Sequence, residues 1–354
     1  MKANTDVNTI QNNNNKSTLL PETTSTKLLR GYSLPPTFYA KYIIGQELGS
    51  GGFGFVLSVT ERATGLERAI KFIYKNKVPP SAWITHHGQR LPIEIYILKY
   101  VQHDNIVNYV ESFEDDTYFY LVMELHGSQW NQPITTLQHI PSLSHTGSES
   151  SASSSDDDDE IISEQHSNAS INISRRGSCD LFECIEQHRS FEEPLAKHIF
   201  RQIVECIAFL DKQGICHRDI KDENIVIDHN YQVKLIDFGS AITLPRHFNK
   251  EDSTIVLHRK FYGTIAFASP EILRMEPYRA ESAEVWSLGV LLYTLVFGEV
   301  PFSNPRMALN ALFHPPTKKT ASKKLLNLIA CLLEKNPHRR PTIHQILTHP
   351  WLKQ

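Results

Sequence analysis

One short polar segment, His217-Arg218-Asp219-Ile220-Lys221-Asp222-Glu223-Asn224, combines residue types that together perform phosphoryl transfer. Asp219 would accept or orient the proton of an acceptor hydroxyl, and Lys221 would neutralise charge on the moving phosphoryl group. Asn224 would bind Mg²⁺, while His217 is better suited to packing or a structural hydrogen bond than to acting as a base. We therefore predict that Asp219 and Lys221 are catalytic.

A second metal ligand follows on the next strand-like run. Asp237-Phe238-Gly239 comes after Val233-Lys234-Leu235-Ile236, so Asn224 and Asp237 flank one short β-hairpin. A carboxylate and an amide oxygen suit Mg²⁺, with Mn²⁺ as a possible substitute. An Asp-Phe-Gly triplet alone means little, but here it stands in the required order behind the other groups.

The N-terminal part supplies groups that could hold ATP. Gly49-Ser50-Gly51-Gly52-Phe53-Gly54-Phe55-Val56 lacks side chains where backbone N–H groups would approach phosphates. A dinucleotide site would need a helix after the loop and an acidic residue about 20 positions on, whereas strand-like residues follow here. A purely structural glycine turn is the plain alternative.

Two charged residues could complete that nucleotide site. Lys71, in the strand-like Arg68-Ala69-Ile70-Lys71-Phe72, would pair with the α- and β-phosphates. Glu94, on the polar side of a helical pattern, would form the ion pair that holds Lys71 in place. Each alone would be an ordinary surface charge.

The elements around these residues predict an α+β fold with two lobes. Residues 42–74 resemble three antiparallel strands, a helix follows Pro92, and 106–113 and 118–123 predict two more strands. Helical apolar patterns at 194–210, 283–297 and 325–333 make the second half mainly helical. We predict a domain at 39–352, with a small lobe at 39–123 and a larger one at 179–352.

Two segments lack the apolar residues that a packed core requires. Residues 1–38 are rich in Asn and Thr, and 127–178 are rich in Ser, His and Asn with an acidic block at 156–160. Low hydrophobicity and charge repulsion predict a disordered tail and a disordered insertion.

Composition limits the class of partner. The formal net charge of -3 provides no field for nucleic acid, and the longest apolar run is too short to span a bilayer. Five cysteines, odd in number and without paired CxxC spacing, fit reduced thiols rather than disulfides or zinc ligands. We expect a monomer in the cytoplasm or nucleus, with no membrane or nucleic-acid partner.

With these residues in place, the chain from about residue 39 to 352 resembles the eukaryotic protein kinase fold. Asp180-Leu181-Phe182, Arg218 to Val226 and Leu235 to Ala241 are similar to the catalytic domain of PAS-domain kinases, although we expect no PAS sensor domain here. His349-Pro350-Trp351-Leu352 fits the calmodulin-dependent-kinase-like group.

The resemblance assigns roles around ATP. It implies that Met123 is the gatekeeper, that Glu124 and Leu125 offer backbone groups to adenine, and that Val56 and Ala69 cover its faces. The implied ATP-binding set is Leu48, Gly49, Ser50, Gly51, Gly52, Phe53, Gly54, Val56, Ala69, Lys71, Met123, Glu124 and Leu125.

The chain departs from the family pattern at two places. Ser269-Pro270-Glu271 replaces Ala-Pro-Glu, and we expect little effect because the carboxylate is kept and should pair with Arg340. Glu284 stands where kinases at large have Asp, so an extra methylene must be absorbed where the catalytic loop is held.

The resemblance also implies the substrate class. Lys221 and Thr264 match serine/threonine kinases, and Asp180 and Glu223 stand where basophilic kinases place carboxylates against arginines. We expect protein substrates with Arg about three residues before the acceptor. Both acids could instead be ordinary surface residues.

Several serines and threonines are candidate phosphosites. Arg175-Arg176-Gly177-Ser178 has the basic pattern itself, which suggests autophosphorylation or a pseudosubstrate role at Ser178, or simply a basic loop. Ser253 and Thr254 lie in the activation segment, where Arg218 could pair with a phosphate. Serines before the acidic block resemble targets of an acid-directed kinase, although a solvated segment explains them as well.

Two other classes of function compete with a protein kinase. A pseudokinase or scaffold would have lost a catalytic group, yet Lys71, Glu94, Asp219, Asn224 and Asp237 are all present. A small-molecule kinase would not need the activation segment that ends at Glu271.

Overall fold

A computed structural model describes residues 22–130, 173–317 and 319–353 of the chain. The strands of the small lobe are β1 (Tyr42–Gly51), β2 (Gly54–Glu61), β3 (Glu67–Tyr74), β4 (Trp83–His86), β5 (Gln89–Pro92), β6 (Tyr109–Glu114) and β7 (Tyr118–Glu124). Five of them form one antiparallel sheet in the order β1-β2-β3-β7-β6. The predicted five-stranded lobe is therefore confirmed.

The register of this sheet follows from its side chains. β3 and β7 are rich in β-branched and aromatic residues and are buried along most of their length, as central strands are. Their pairing sets Lys71 opposite Leu121 and Ala69 opposite Met123. At the turn between β1 and β2, a Cβ on Gly54 would lie 1.9 Å from the Phe72 carbonyl oxygen, so only glycine fits there.

Two short helices precede the sheet, α1 (Thr24–Leu29) and α2 (Pro36–Lys41). Thr23 caps the first by accepting a hydrogen bond from the Thr26 N–H. Leu29, Leu34 and Phe38 are buried in one apolar cluster with residues of the sheet. The predicted disorder of residues 1–38 is therefore wrong for 22–38, because three apolar side chains suffice to dock the segment, and 1–21 lie outside the described residues.

A hairpin that the sequence patterns did not predict leads into helix α3 (Ile93–Tyr100). It is formed by β4 and β5, and Trp83 packs edge-to-face on Phe119 with ring centroids 5.7 Å apart. Glu94 lies in the first turn of α3 and is buried, as are its neighbours Ile93 and Ile95. The hairpin therefore sets where the helix carrying Glu94 begins.

The larger lobe is mainly helical, as predicted. Its helices are α4 (Leu181–His188), α5 (Glu193–Lys212), α6 (Pro245–Phe248), α7 (Pro270–Leu273), α8 (Ala280–Phe297), α9 (Pro305–Asn310), α10 (Lys323–Leu332) and α11 (Ile343–Leu347). Its short strands are β8 (Ile215–Cys216), β9 (Ile225–Ile227), β10 (Val233–Leu235) and β11 (Ile242–Thr243), paired as β9–β10 and β8–β11.

Helix α8 forms the centre of this lobe. By length and composition it could cross a membrane, yet 83% of it is buried inside the protein, so the core already accounts for its apolar character. Trp286 is completely buried, and its ring stacks on Phe302 with centroids 5.7 Å apart.

Both described ends of the predicted insertion pack on the domain. Trp130 is buried against Tyr231 and His229 in the large lobe. At the other end, Ile173 joins the apolar cluster of α1, and residues 174–176 pair with the edge strand β1 at Glu47. The predicted disorder of 127–178 is therefore wrong at 127–130 and 173–178, whereas 131–172, with the acidic block and its serines, lie outside the described residues.

Candidate active site

The loop between β8 and β9 places the Asp219 carboxylate among polar groups of three residues. One carboxylate oxygen accepts hydrogen bonds from the Thr264 N–H at 2.9 Å and hydroxyl at 3.1 Å. The other accepts from the Asn224 amide at 3.0 Å and lies 3.9 Å from the Lys221 ammonium. The structure thus brings together four predicted residues, and Thr264 ties the activation segment to the predicted base.

His217 has a structural position beneath this loop. Its Nε2–H donates to the Ile236 carbonyl at 2.9 Å, and its Nδ1 accepts from the Asp219 N–H at 3.3 Å, which fixes the neutral tautomer. Burial lowers the pKa of His217 below its ordinary value. Its ring also packs on Phe238, which is fully buried.

Glu284 of helix α8 holds the backbone of the same loop. One oxygen accepts from the His217 N–H at 2.8 Å and from the Arg218 N–H at 3.0 Å. The longer side chain therefore reaches both donors, and Arg218 keeps a positive φ of 69° beside it. Burial raises the pKa of Glu284 to about 7, although both N–H donors oppose that rise.

Three charged side chains from distant parts of the chain meet beside the loop. The Lys71 ammonium donates to Glu94 at 2.6 Å and to Asp237 at 2.9 Å. Strand β3 places Lys71, the first turn of α3 places Glu94, and Asp237 stands in the left-handed region with φ 61°. The ion pair predicted from the sequence is thus formed, with Asp237 as a second partner.

The electrostatics of this triad favour a charged Lys71. Burial alone would lower the pKa of Lys71, but the carboxylates of Asp237 and Glu94 outweigh it and hold that pKa above its ordinary value. Desolvation would raise the pKa of Asp237, yet Lys71 brings it down to about 2. Burial raises the pKa of Glu94, with Lys71 opposing.

Asn224 and Asp237 have the donor atoms that Mg²⁺ requires. The Asn224 amide nitrogen is bound to the carbonyl and carboxylate of Asp219, so its oxygen is the atom that would meet a cation. Asp237 is ionised, and its side chain is 43% exposed. Within the described ranges no group of three or more His, Cys, Asp or Glu is placed to hold a metal ion.

Three glycines at the turn between β1 and β2 leave open space beside their backbone. A Cβ at Gly49, Gly51 or Gly52 would meet no atom within 4 Å, so packing does not explain these glycines, and their predicted contact with phosphates stays a prediction. The predicted adenine contacts belong to the main core cluster, Ala69 and Met123 buried and Leu48, Val56 and Leu125 partly exposed.

The other predicted nucleotide contacts have defined positions. Glu124 ends β7, and its carboxylate accepts from the Asn108 N–H and the Lys234 ammonium, both at 2.7 Å. Ser50 is exposed, and the Phe53 carbonyl accepts from the Tyr74 N–H at 3.0 Å. The Glu124 side chain is therefore bound within the protein, and its backbone N–H donates to the Asn108 carbonyl at 3.0 Å, so only its backbone carbonyl could be offered to adenine.

An acidic rim borders the catalytic loop. Asp180 caps helix α4: one oxygen accepts from the Glu183 N–H at 2.8 Å and the other from the Ser178 hydroxyl at 2.5 Å. Burial, and then Glu223 and Asp180, raise the pKa of Asp222 to about 6. Sequence reasoning missed Asp222 and Glu183 as members of this rim, although Asp180 and Glu183 are spaced to share one face of a helix.

Asp180 and Glu223 also have partners within the chain. Glu223 pairs with Lys221 at 2.5 Å, and its side chain is 54% exposed. Asp180 is the helix cap just described, so its predicted role as a substrate contact is combined with a structural one. Arg176 pairs with Glu67 of β3 at 3.1 Å rather than with this rim.

The activation segment is held by protein groups around Arg218. Its guanidinium donates to the Lys260 carbonyl at 2.6 Å and to the Tyr278 hydroxyl at 3.0 Å. Ser253 and Thr254 are exposed, and no contact joins them to Arg218 within the described residues. Phosphorylation at Ser178, Ser253 or Thr254 stays a prediction.

The predicted ion pair of the large lobe is confirmed. Arg340 donates to both oxygens of Glu271 at 2.6 Å, with its side chain fully buried. Two parallel bonds of this kind fix the end of the activation segment to the core of the lobe.

Comparisons with known proteins agree with this geometry. The model of a family described as "Protein kinase domain" matches residues 42–146 and 160–352. The chain is 38% identical over 315 residues to the mouse "PAS domain-containing serine/threonine-protein kinase", covering 89% of this chain and 18% of that protein. It is 30% identical over 326 residues to the zebrafish "Serine/threonine-protein kinase pim-2", covering 90% of this chain and 86% of that protein.

A yeast relative gives the same result at lower identity. The chain is 30% identical over 319 residues to the Saccharomyces cerevisiae "Serine/threonine-protein kinase PSK2", covering 89% of this chain and 24% of that protein. The chain thus spans about a fifth of the mouse protein and about a quarter of the yeast protein.

Proposed function

Because the chain belongs to the protein kinase domain family and holds every group that phosphoryl transfer requires, we propose that it is an active serine/threonine kinase. It moves the γ-phosphate of ATP to Ser and Thr hydroxyls of protein substrates. One observation carries the proposal: Lys71 pairs with Glu94 and Asp237 while Asp219 is bound by Thr264 and Asn224.

The mechanism follows from these contacts. An acceptor hydroxyl beside Asp219 would be oriented by its carboxylate, and Lys221, 3.9 Å away, would stabilise charge on the transferred group. Lys71 would hold the α- and β-phosphates, with Glu94 fixing its direction. Mg²⁺ bound by Asn224 and Asp237 would neutralise negative charge between the phosphates.

Transfer of radiolabelled γ-phosphate to a basic protein tests the proposal. Wild type is expected to label serine and threonine, and Asp219→Asn to lose at least about 10²-fold because the hydroxyl is no longer oriented. Binding of ATP without labelling would support a pseudokinase instead. Equal labelling by wild type and Asp219→Asn would defeat the mechanism.

We further propose that the acidic rim selects basic residues upstream of the acceptor. Asp180, Asp222, Glu183 and Glu223 lie together: Glu183 and Glu223 raise the pKa of Asp180, and Glu223 and Asp180 raise the pKa of Asp222. A guanidinium would relieve this repulsion and satisfy carboxylate oxygens in pairs. Specificity would then come from electrostatic complementarity at the rim.

A positional peptide library tests the rim. Wild type is expected to prefer Arg about three residues before the acceptor, and Glu223→Gln to weaken that preference by about 3- to 10-fold in kcat/KM. Glu186→Gln, an exposed change on the same helix α4, is the matched control. No basic preference in an active wild type, or equal loss in the control, would overturn the proposal.

We propose a role in signalling inside the cell, in the cytoplasm or nucleus. All five cysteines are free thiols, as is usual for proteins of a reducing compartment. Fractionation of cells that express the tagged chain would test the location, and recovery in the secretory pathway would contradict it.

A further inference from the structure

Helix α3 carries two buried polar side chains that leave it on different sides and contact different elements. Glu94 is bound to Lys71 of the sheet at 2.6 Å. Tyr96, two residues later and therefore about 200° further round the helix, has its hydroxyl 2.9 Å from Nε2 of His247. His247 belongs to α6, in the segment that follows Asp237. The helix is thus attached to the large lobe as well as to the sheet.

The other nitrogen of His247 fixes its tautomer. Nδ1 lies 2.6 Å from the Gln213 carbonyl oxygen at the end of α5, and a carbonyl only accepts, so Nδ1 carries the proton. In the neutral ring Nε2 is then an acceptor, and the Tyr96 hydroxyl donates to it. The imidazole therefore links α3 to the end of α5 through two hydrogen bonds.

The backbone around His247 is anchored independently. Arg246 pairs with Asp211 at 2.7 Å and with Glu281 at 3.2 Å. A Cβ on Gly214, whose φ is +71°, would lie 2.6 Å from the backbone nitrogen of His247, so the two backbones are in close contact. His247 is consequently a fixed point from which α3 can be held.

We propose that Tyr96 and His247 are positioning residues, whose hydrogen bond holds α3 where Glu94 reaches Lys71. This inference rests on the proposed kinase function. The Lys71–Glu94 bond at 2.6 Å tolerates little displacement of the helix, because hydrogen bonds weaken steeply beyond about 3.2 Å. Tyr96 is only 4% exposed, so its hydroxyl has little access to water as an alternative partner.

Matched single substitutions on α3 test the bond. Tyr96→Phe removes one hydroxyl, and Tyr100→Phe makes the same change one turn later, at a residue 46% exposed. His247→Asn keeps a donor for Gln213 and loses the atom that faces Tyr96. We expect Tyr96→Phe and His247→Asn each to lower kcat by about 3- to 30-fold, and the double variant to be no worse than either single one. Tyr100→Phe should match wild type.

Two further measurements separate positioning from simple stability. The Glu94→Gln variant has no carboxylate to position against Lys71. Adding Tyr96→Phe to that variant should therefore not lower its residual rate of phosphate transfer further. Hydrogen exchange of the α3 amides should be faster in Tyr96→Phe than in Tyr100→Phe, and this readout needs no catalysis. It therefore tests the positioning role even if wild type transfers no phosphate, a result that would overturn the proposed function alone.

Three outcomes would overturn the positioning role. The first is a kcat of Tyr96→Phe equal to that of wild type, and the second is a double variant whose loss is the product of the losses of Tyr96→Phe and His247→Asn. The third is an equal rate of hydrogen exchange at the α3 amides in Tyr96→Phe and Tyr100→Phe.

Discussion

Two ion pairs buried in the described residues, one in each lobe, differ in how completely they are enclosed. In the large lobe, Arg340 donates to both oxygens of Glu271, and its remaining donors meet the carbonyls of Glu334, Ser282 and Lys335. Planar geometry and full hydrogen bonding suit a permanent contact. This pair is closed on every side.

The pair in the small lobe is open on one side. Lys71 is a point charge shared between Glu94 and Asp237, and the Asp237 side chain is 43% exposed, against 3% for Glu271. An ammonium on a flexible stem can exchange one carboxylate for a phosphate more easily than a bidentate guanidinium can. From this comparison we expect the closed pair to hold the fold and, under the proposed function, the open pair to serve the reaction.

The largest effect on stability is expected at the closed pair. Arg340→Ala leaves the Glu271 carboxylate buried without a cation, which should cost about 3–5 kcal/mol in the free energy of unfolding. Arg340→Lys keeps the charge but loses the two parallel bonds, so it should cost less. Urea unfolding measures both, and a loss below about 1 kcal/mol in Arg340→Ala would contradict the structural role.

Substitution in the open pair should affect catalysis more than stability. Lys71→Met is expected to lower kcat by about 10²–10³-fold, because a preorganised positive group at the phosphates is lost. Its unfolding free energy should fall less than in Arg340→Ala, because Glu94, whose pKa is already raised, can take up a proton. Paired measurements of phosphate transfer and urea unfolding check this. Equal destabilisation by both variants would remove the distinction between the pairs.

Glu284 sharpens the comparison because it is a buried carboxylate held only by N–H donors. Burial would raise the pKa of Glu271, but Arg340 outweighs it and lowers that pKa, whereas the pKa of Glu284 rises from 4.5 to about 7. Between pH 4.5 and about pH 7, Glu284 is therefore protonated in the folded protein and ionised in the unfolded chain. Stability contributed by this group therefore falls as pH rises from about 4.5 to about 7.

The variant Glu284→Gln isolates this effect. It cannot ionise, so the difference in unfolding free energy between wild type and variant should change by on the order of 1–3 kcal/mol from pH 5 to pH 8, in favour of the variant. Taking the difference cancels Glu94 and Asp222, whose pKa values are also raised. A difference that stays constant with pH would show that Glu284 is ionised throughout.

The cluster of residues proposed for the reaction could be predicted from the sequence because their types and order are specific. Asp219 and Asn224 stand close together in one loop, and Lys71, Glu94 and Asp237 occur in the order that the fold requires, although they lie far apart in the chain. The elements that carry them also follow from strand and helix periodicity. The Arg340–Glu271 pair was predicted from the resemblance to protein kinases, and the structure contains it.

Segments judged by average composition were predicted less well. Leu29, Leu34 and Phe38 are few among polar neighbours, yet each is at most 3% exposed, and Ile173 is buried beside them. The average hydrophobicity of a segment does not show that single apolar side chains dock on an apolar face elsewhere in the fold. That face is formed by residues far away in the chain. The bond between Tyr96 and His247 was missed for the same reason, because no local pattern joins residues so distant.

The smallest effect is expected beside Glu271, where Ser269 replaces the alanine of the family pattern. Ser269 has φ -73° and ψ 158°, and Ala268 before it has φ -72° and ψ 135°, so both backbones already suit a proline at 269. No backbone bond from the Ser269 N–H occurs within the described ranges. Ser269→Pro should thus gain about 0.4–1 kcal/mol by restricting the unfolded chain, partly offset by the larger ring at a position where Ser269 is fully buried. Urea unfolding should place it within about 1 kcal/mol of wild type, and a loss near that of Arg340→Ala would mean that the closed pair depends on this serine.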